Sequence, residues 1–302
     1  MTLPDGYAWV DAPRAARVFA WAGARDALER VLEAHRTLAD WAAADPVAER
    51  LSGRGTVLSL PAPAAGPDGR ARWAVRHYLR GGAVASWLGD RYLAAGPPRP
   101  LWELRASVAA RIRGVRTPAV VAGAVYRSGA LYRADLVTEL VPDAVDLAGA
   151  LFARRSPAGK GRCIGGVAAE SPGAAGSPGA SGTAGAAGAG AARAAGAAAE
   201  GDRSAALHAA GLLLGHAARS GILHVDLNAK NVLVRATEGG QEAWLIDLDR
   251  CRVRAGGGDA DAAVMLRRLE RSLTKLGARH GRPLAEEERS VLRAAVERAG
   301  AR

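Results

Sequence analysis

Three polar side chains stand in two otherwise apolar stretches of this sequence, where an uncompensated charge is costly. Asp226 and Asn231 lie five residues apart in LHVDLNAKNVLV, and Asp247 ends the apolar run WLID further along the chain. A carboxylate can accept the proton of an attacking hydroxyl, and Mg²⁺ prefers oxygen ligands together with phosphate and water. We therefore predict ATP-dependent phosphoryl transfer, with Asp226 as base and Asn231 and Asp247 as ligands of Mg²⁺. The alternative is a structural turn with solvated polar residues.

The elements that must position these side chains can be read from the pattern around them. A helix with a stripe of Leu and Ala precedes the loop and stops at Gly221. The loop carrying Asp226 and Asn231 is predicted as a strand–turn–strand, and Asp247 follows an apolar strand. After Asp247 the chain holds only a short polar stretch before two terminal helices at about 260–276 and 284–299, with Asp259 as a cap and Gly277 as a terminator.

A strand and a helix in the first half of the chain offer a second pair of charges. In RWAVRHY, strict alternation puts Trp73 and Val75 on one face and Arg76 on the other. In LWELRASVAARIRG, Glu103 lies beside the apolar helical face. An Arg76–Glu103 ion pair between strand and helix is one reading; two solvated charges are the other.

The same half contains a glycine turn and two hairpins. Residues 25–44 have helical spacing, and the run LSGRGTVLSL then places Gly53 and Gly55 in a turn that lets backbone amides approach phosphate. GAVYRSGALYRADLVTELV reads as a hairpin. We place a domain boundary after it, at residue 140. Residues 154–203 are rich in Ala, Gly, Ser and Pro and are predicted to be disordered.

The 302 residues carry a formal net charge of +11 and a pI near 10.6, a charge that attracts phosphates, nucleic acid or an anionic membrane and leaves the target open. The segment from Arg70 to Arg116 contains ten arginines but only two acidic residues, Asp90 and Glu103. This segment is either a docking site for a phosphate-rich partner or a solvated arginine-rich surface. Exposed aromatics interleaved with the basic residues in a recognisable module are absent, so nucleic acid is not expected.

The two cysteines, Cys163 and Cys251, have no metal-ligand spacing and cannot build a disulfide framework. The first residues show no signal-peptide pattern, and no stretch approaches the roughly 20 apolar residues of a spanning helix. We expect a cytoplasmic protein that is at most peripheral to a membrane.

Taken together, these motifs resemble a known family. HVDLNAKNVLV with WLIDLDR resembles the HRDxxxxN and DFG pattern of the protein-kinase-like superfamily, and RHYLRGG at 76–82, DRYL at 90–93 and LYRADLVTE at 131–139 make it most similar to 3-deoxy-D-manno-octulosonic acid (Kdo) kinases. The resemblance covers roughly residues 50–153 and 204–275. It implies an α+β, bilobal protein-kinase-like fold with a β-rich N-lobe (1–140) and a mainly helical C-lobe (141–302) that contains the 154–203 insertion.

The resemblance also implies roles for matching residues. Gly53 and Gly55 would cover the nucleotide phosphates, Arg76 would stand where most kinases have a strand lysine with Glu103 as its helix partner, and the backbone at Glu139 and Val141 would meet adenine. His224 would support the catalytic loop, and Asn228 replaces the lysine common in protein kinases.

Two departures from the family pattern bear on these roles. No lysine occurs in the N-lobe, so Arg76 must clamp phosphate or the clamp is missing. Asp249 takes the place of the DFG glycine and is either a further ligand or polar turn chemistry.

The implied reaction is transfer of the γ-phosphate of ATP to a hydroxyl of Kdo on lipid A, with the 4-hydroxyl as the expected position, at the cytoplasmic face of the inner membrane. A basic N-lobe suits an anionic glycolipid surface. The alternatives are another kinase-like phosphotransferase, acting on a heptose or on protein, and a nucleotide-binding pseudokinase scaffold.

Overall fold

The computed structural model describes residues 2–12, 15, 17–51, 57–79, 90–153 and 187–299. Gly53 and Gly55, and the Arg80–Gly82 end of RHYLRGG, lie outside the described residues. The two parts of the chain differ in the way that the sequence predicts, with an antiparallel sheet in the first part and mainly helices in the second. The α+β class is therefore confirmed, while the boundary at residue 140 stays a prediction.

An eight-stranded antiparallel sheet forms the N-lobe. Its order is β1-β2-β7-β8-β5-β4-β3, and β6 pairs with β8. The hairpin predicted from the Ser-Gly turn is the pair β7 and β8. The strands are β1 (Tyr7–Val10), β2 (Arg17–Trp21), β3 (Glu49–Leu51), β4 (Val57–Pro61), β5 (Arg72–His77), β6 (Tyr92–Leu93), β7 (Val120–Ser128) and β8 (Leu131–Glu139).

Three helices cover the two faces of this sheet. Helices α1 (Arg25–Ala34) and α2 (Leu38–Ala44) pack on one face around Trp73 and Val75, and helix α3 (Arg99–Ile112) packs on the other. The helical spacing over residues 25–44 predicts one helix, and this prediction is wrong because two separate helices form there. His35 leaves the helical conformation, and the side chain of Thr37 accepts a hydrogen bond from the N–H of Asp40, which caps a second helix.

Helix α3 begins with proline and ends at a glycine turn. Pro98 precedes its first turn and Gly114 follows it with φ +72°. Leu101 and Leu104 are buried against the sheet, whereas Ala106 and Ala110 belong to the core of the C-lobe. The helix therefore packs against both halves of the molecule.

The C-lobe has one large apolar core built by helices and short strands. Its strands are β9 (Val145–Asp146), β10 (Ile222–Leu223), β11 (Val232–Thr237), β12 (Gly240–Leu245) and β13 (Arg252–Val253). Its helices are α4 (Leu147–Phe152), α5 (Ala187–Arg219), α6 (Asp259–Arg279) and α7 (Glu286–Arg298). The Leu and Ala stripe predicted before Gly221 is the buried face of α5, and Gly221 ends this helix with φ +73°.

Three expectations about the C-lobe need correction. Residues 187–203, predicted to be disordered, belong to helix α5, because alanine has the highest helix propensity of all residues. Gly277 lies inside α6 rather than ending it, close to Pro283. Asp259 is the first residue of α6, and Gly258 takes the cap position without a side-chain hydrogen bond.

Candidate active site

The loop that carries Asp226 and Asn231 runs from β10 through one short turn of 3-10 helix into β11. Within this loop, Leu227 and Ala229 are buried in the core of the C-lobe. The side-chain amides of Asn228 and Asn231 both donate to the backbone carbonyl of Asp226, at 3.0 and 3.2 Å. The loop is thus held by its own side chains, while the carboxylate of Asp226 stays 46% exposed to solvent.

A hydrogen bond from the side chain of His224 connects this loop to the segment before Asp247. This side chain is fully buried, and its Nε2 lies 3.0 Å from the carbonyl oxygen of Ile246, which can only accept. Burial lowers the pKa of His224, so the ring is neutral and Nε2–H is the donor. The imidazole therefore joins the loop to the segment that presents Asp247.

Asp247 follows β12 in a left-handed backbone conformation, with φ 64°. The N–H of Ile246 donates to the carbonyl of Asn231 at 3.0 Å, so the two predicted metal ligands sit on segments that are bonded to each other. Burial alone would raise the pKa of Asp247, but the Arg76 guanidinium outweighs it and the pKa is lowered. The carboxyl is therefore ionised.

Arg76 joins three elements around Asp247. Its Nη1 lies 2.8 Å from Oδ1 of Asp247, and its Nη2 lies 2.5 Å from Oε2 of Glu103 on α3. The hydroxyl of Tyr78 also donates to Oε2 of Glu103 at 2.5 Å, and the guanidinium stacks over the Tyr78 ring. We call these four residues the clamp network: Arg76, Tyr78, Glu103 and Asp247. The Arg76–Glu103 ion pair expected from the alternation pattern is present.

Burial and the charges of neighbouring groups have opposing effects on the pKa values of Glu103 and Arg76 in the clamp network. The side chain of Glu103 is only 6% exposed, and burial raises its pKa to about 7 against the opposing charge of Arg76. Burial also acts to lower the pKa of Arg76, but the negative charges of its partners raise it well above the usual range. Arg76 therefore stays charged at any pH of interest.

Two further arginines, which the sequence reasoning missed, pair with the other carboxylates of the site. Arg99, at the start of α3, places Nη1 3.0 Å from Oδ2 of the buried Asp249. Burial, reinforced by the nearby charge of Asp247, raises the pKa of Asp249 to about 6. Arg250 places Nη1 2.6 Å from Oδ2 of Asp226. The only signal in the sequence was the IDLDR segment itself, which carries Arg250 beside the predicted metal ligand.

Comparison with known proteins supplies the family. The sequence model of the Lipopolysaccharide kinase (Kdo/WaaP) family matches residues 39–168 and 190–292. The chain belongs to this family. Membership makes the protein a phosphotransferase of lipopolysaccharide biosynthesis, and a kinase implies the use of ATP.

Individual relatives agree with the family assignment. A 3-deoxy-D-manno-octulosonic acid kinase of Vibrio parahaemolyticus is 26% identical over 219 residues, 72% of this chain and 69% of its own. The protein of the same name from Stenotrophomonas maltophilia K279a is 29% identical over 235 residues, 77% and 71% of the two chains. Among solved structures, WaaP in complex with acyl carrier protein aligns with a TM-score of 0.45 and 17% identity, over 92% of this chain and 84% of that one.

The predicted adenine contacts of this lipopolysaccharide kinase lie at the end of β8. The N–H of Glu139 donates to the carbonyl of Ala119 within the sheet, at 2.9 Å. Its buried carboxylate accepts hydrogen bonds from the backbone N–H groups of Asp68 and Arg70, at 2.9 and 3.1 Å. Val141 is buried two residues later. The Glu139 side chain therefore stabilises the 66–70 turn, and its own N–H is committed to the sheet.

The residues present fit a magnesium site that is completed by a nucleotide. Asn231 uses its amide nitrogen to bond Asp226, which leaves its side-chain oxygen for a metal, and Asp247 is ionised. Across the part of the chain that the structure describes, no group of three or more His, Cys, Asp or Glu could hold a metal ion alone. Magnesium needs no such cage, because it is commonly bound by one or two protein oxygens together with phosphates and water.

In the part of this lipopolysaccharide kinase that the structure describes, none of the helices combines the length and the apolar character that a bilayer crossing needs.

Proposed function

We propose that this lipopolysaccharide kinase transfers the γ-phosphate of ATP to the 4-hydroxyl of Kdo on lipid A. The single observation that carries the proposal is the position of the solvent-exposed Asp226 carboxylate on the loop that is hydrogen-bonded to the Asp247 segment of the clamp network. A base open to solvent can meet a bulky acceptor, while the charge network around the buried Glu103 suits the nucleotide. The curated relatives named as Kdo kinases support the choice of acceptor.

On the donor side, Arg76 would grip the phosphates of ATP. Arginine is permanently charged and can hold two partners at once through its planar fork, which Arg76 already does with Glu103 and Asp247. Gly53 and Gly55 would cover the phosphates, and the backbone at Glu139 and Val141 would contact adenine. Mg²⁺ held by Asn231 and Asp247 would neutralise charge on the β- and γ-phosphate oxygens.

On the acceptor side, Asp226 would take the proton of the attacking hydroxyl. The hydroxyl oxygen forms a bond to the γ-phosphorus while the bond to the bridging β–γ oxygen breaks, so the products are ADP and a phosphorylated sugar. The amides of Asn228 and Asn231 hold the backbone of Asp226 and so orient its carboxylate. His224, buried and neutral, supports this loop and transfers no proton in the proposed reaction.

The absence of a lysine in the N-lobe motivates a second candidate, a nucleotide-binding pseudokinase scaffold. Arg76 occupies the position of the lysine and makes an ion pair with Glu103 as well as with Asp247. Because the clamp is present as an arginine, we favour the active enzyme. A protein that binds ATP with Mg²⁺ but phosphorylates no glycolipid would support the scaffold instead.

The outer face of α3 supports a peripheral position on the cytoplasmic face of the inner membrane. Trp102 and Ile112 are 47% and 80% exposed, and Arg105 lies between them on the same face, within about a quarter turn of each. Tryptophan with arginine is typical of helices that lie in a membrane interface. Co-sedimentation should therefore be stronger with vesicles that contain anionic lipid than with neutral ones, and Trp102→Ala should weaken it.

The direct test of the acceptor is mass spectrometry of Kdo–lipid A after incubation with the purified protein, ATP and Mg²⁺. We expect a mass increase of one phosphate, located on the Kdo by fragmentation. Phosphate on a heptose, on a polypeptide or on no glycolipid at all would overturn the proposal.

A further inference from the structure

Two arginines contact the loop at Asp226, one through the Asp226 carboxylate and one through the preceding backbone carbonyl. Arg250 uses Nη1 to bond Asp226 Oδ2 at 2.6 Å and is itself 57% exposed. Arg268, on α6, donates through Nη1 to the carbonyl of Val225, the residue before Asp226. We call these three residues the acceptor face: Asp226, Arg250 and Arg268.

The charges of the acceptor face do not balance. Asp247 is paired with Arg76 and Asp249 with Arg99, each on the donor side. Asp226 is paired with Arg250, and no carboxylate of the described residues pairs with Arg268. The acceptor face therefore holds two arginines and one carboxylate, with the Arg250 guanidinium on the Asp226 carboxylate and the Arg268 guanidinium on the backbone carbonyl of Val225.

Arg250 has unused hydrogen-bonding capacity at this place. A guanidinium carries five N–H donors in a rigid fork, and the described part of the chain offers an acceptor to only one of them, Nη1. The remaining donors face solvent beside the base. A planar fork of this kind matches a carboxylate, which it can hold through two parallel hydrogen bonds.

We infer that Arg250 binds the carboxylate of the sugar acceptor and selects for an acidic sugar, with Arg268 adding positive charge. The inference rests on the proposed function and deepens it, since an octulosonic acid carries a carboxylate on the same molecule as the hydroxyl to be phosphorylated. Held by the guanidinium that also holds Asp226, the acceptor has its ring fixed next to the base. Arg250 is thus a binding residue that sets the orientation of the hydroxyl.

The test compares two acceptors and two variants. The acceptors are Kdo–lipid A and the same glycolipid with the Kdo carboxyl converted to a neutral carboxamide. Arg250→Gln removes the guanidinium, and Arg279→Gln removes the same charge from the exposed end of α6 as a matched control. Initial rates at saturating ATP give kcat and the acceptor KM for each combination, and rates at saturating acceptor with varied ATP give the KM for ATP.

We expect the wild-type KM to rise roughly 10- to 100-fold when the carboxylate becomes a carboxamide, which corresponds to a hydrogen bond between charged groups. Arg250→Gln should raise the KM for the natural acceptor by a similar factor and should add little with the carboxamide, because the contact is then already lost. The KM for ATP should stay unchanged, and Arg279→Gln should behave as the wild type.

Equal wild-type KM values for the two acceptors would overturn the assignment of Arg250 while leaving the proposed function in place. So would an Arg250→Gln variant that raises KM equally with both acceptors. The comparison of acceptors uses only wild-type protein, so it holds even if the variant fails to fold. A wild-type protein that phosphorylates neither acceptor would overturn the proposed function and this assignment with it.

Discussion

The proposed donor and acceptor sides of this site are built from the same kinds of residue but differ in burial. In the clamp network the side chains of Glu103 and Arg76 are only 6% and 23% exposed, and burial raises the pKa of Glu103 to about 7. On the acceptor face, Asp226 and Arg250 form an equally short ion pair with both side chains about half exposed. We propose from this difference that the nucleotide site is preorganised by the ion pairs of Arg76, whereas the acceptor site keeps its charges available for a partner.

The largest effect that this comparison predicts is on the exposed base. Asp226→Asn should lower kcat by about 10²- to 10⁴-fold, the usual contribution of a general base, while thermal stability and ATP affinity stay near wild type because the side chain is exposed. Steady-state kinetics with Kdo–lipid A and a thermal unfolding curve measure both. Asp143→Asn, in an exposed turn with positive φ that asparagine tolerates, is the matched control. Near wild-type turnover by Asp226→Asn would mean that another group takes the proton.

The second prediction concerns the ion pairs that Arg76 makes in the clamp network. Arg76→Gln leaves Glu103 and Asp247 without their cation and should destabilise the fold by about 3 kcal/mol, the lower end for breaking a buried pair, since Glu103 can take up a proton. ATP affinity should fall as well. Arg76→Lys keeps the charge but not the planar fork, so its stability and its ATP affinity should lie between those of the wild type and of Arg76→Gln. Urea unfolding and calorimetric ATP titration test this, with Arg127→Gln on the exposed end of β7 as control. Unchanged unfolding in Arg76→Gln would show that the clamp network is not a stabilising unit.

The third prediction concerns the dependence of the free energy of unfolding on pH. The pKa of Glu103 rises from its usual value near 4.5 to about 7 in the folded state, so the folded protein binds more protons than the unfolded chain between these values. The free energy of unfolding should therefore fall as pH rises from 4.5 to 7, by at most about 3 kcal/mol from this group. Urea unfolding at several pH values measures the slope, and Glu103→Gln should flatten it. An identical slope in wild type and variant would contradict the buried state of Glu103.

The smallest effect concerns the connection between the two sides. Arg113, just after α3, donates through Nη1 to the carbonyls of Ser220 and Arg254, at 2.7 and 2.6 Å. Arg113→Ala should cost roughly 1–2 kcal/mol of stability and lower kcat a few-fold through movement of α3, without changing the acceptor KM. Arg279→Ala, at the exposed end of α6, serves as control. A raised acceptor KM would instead show that α3 also shapes the acceptor face.

Local patterns predicted the parts of the site that lie on regular elements. Alternation along β5 and the apolar face of α3 offered the Arg76–Glu103 ion pair as one of two readings, and the structure contains this pair. The pairs Arg99–Asp249 and Arg250–Asp226 were not predicted, because their partners lie 150 and 24 residues apart in the sequence and no periodic pattern links them. The roles of Gly53, Gly55, Glu139 and Val141 in nucleotide binding stay predictions.

The error over residues 187–203 has a different cause. Low complexity and scarce large apolar residues are typical of disorder, but alanine also favours helix. Further along α5, the small residues Gly211 and Gly215 let the helix approach α7 so closely that a Cβ at Gly211 would lie 2.6 Å from the Cβ of Ala295. A contact between distant helices of this kind is not visible in local composition.

The left-handed backbone of Asp247 makes this position selective in two independent ways. Only Gly, Asn and Asp adopt φ near +64° with little penalty, and of these only Asp brings the ionised carboxylate that pairs with Arg76. In a library of all substitutions at 247, Gly and Asn should therefore give proteins that fold but are inactive. Only Asp should give a protein that is both folded and active, and every other residue should impair folding as well as activity. At this residue, selection for the turn and selection for catalysis permit the same amino acid.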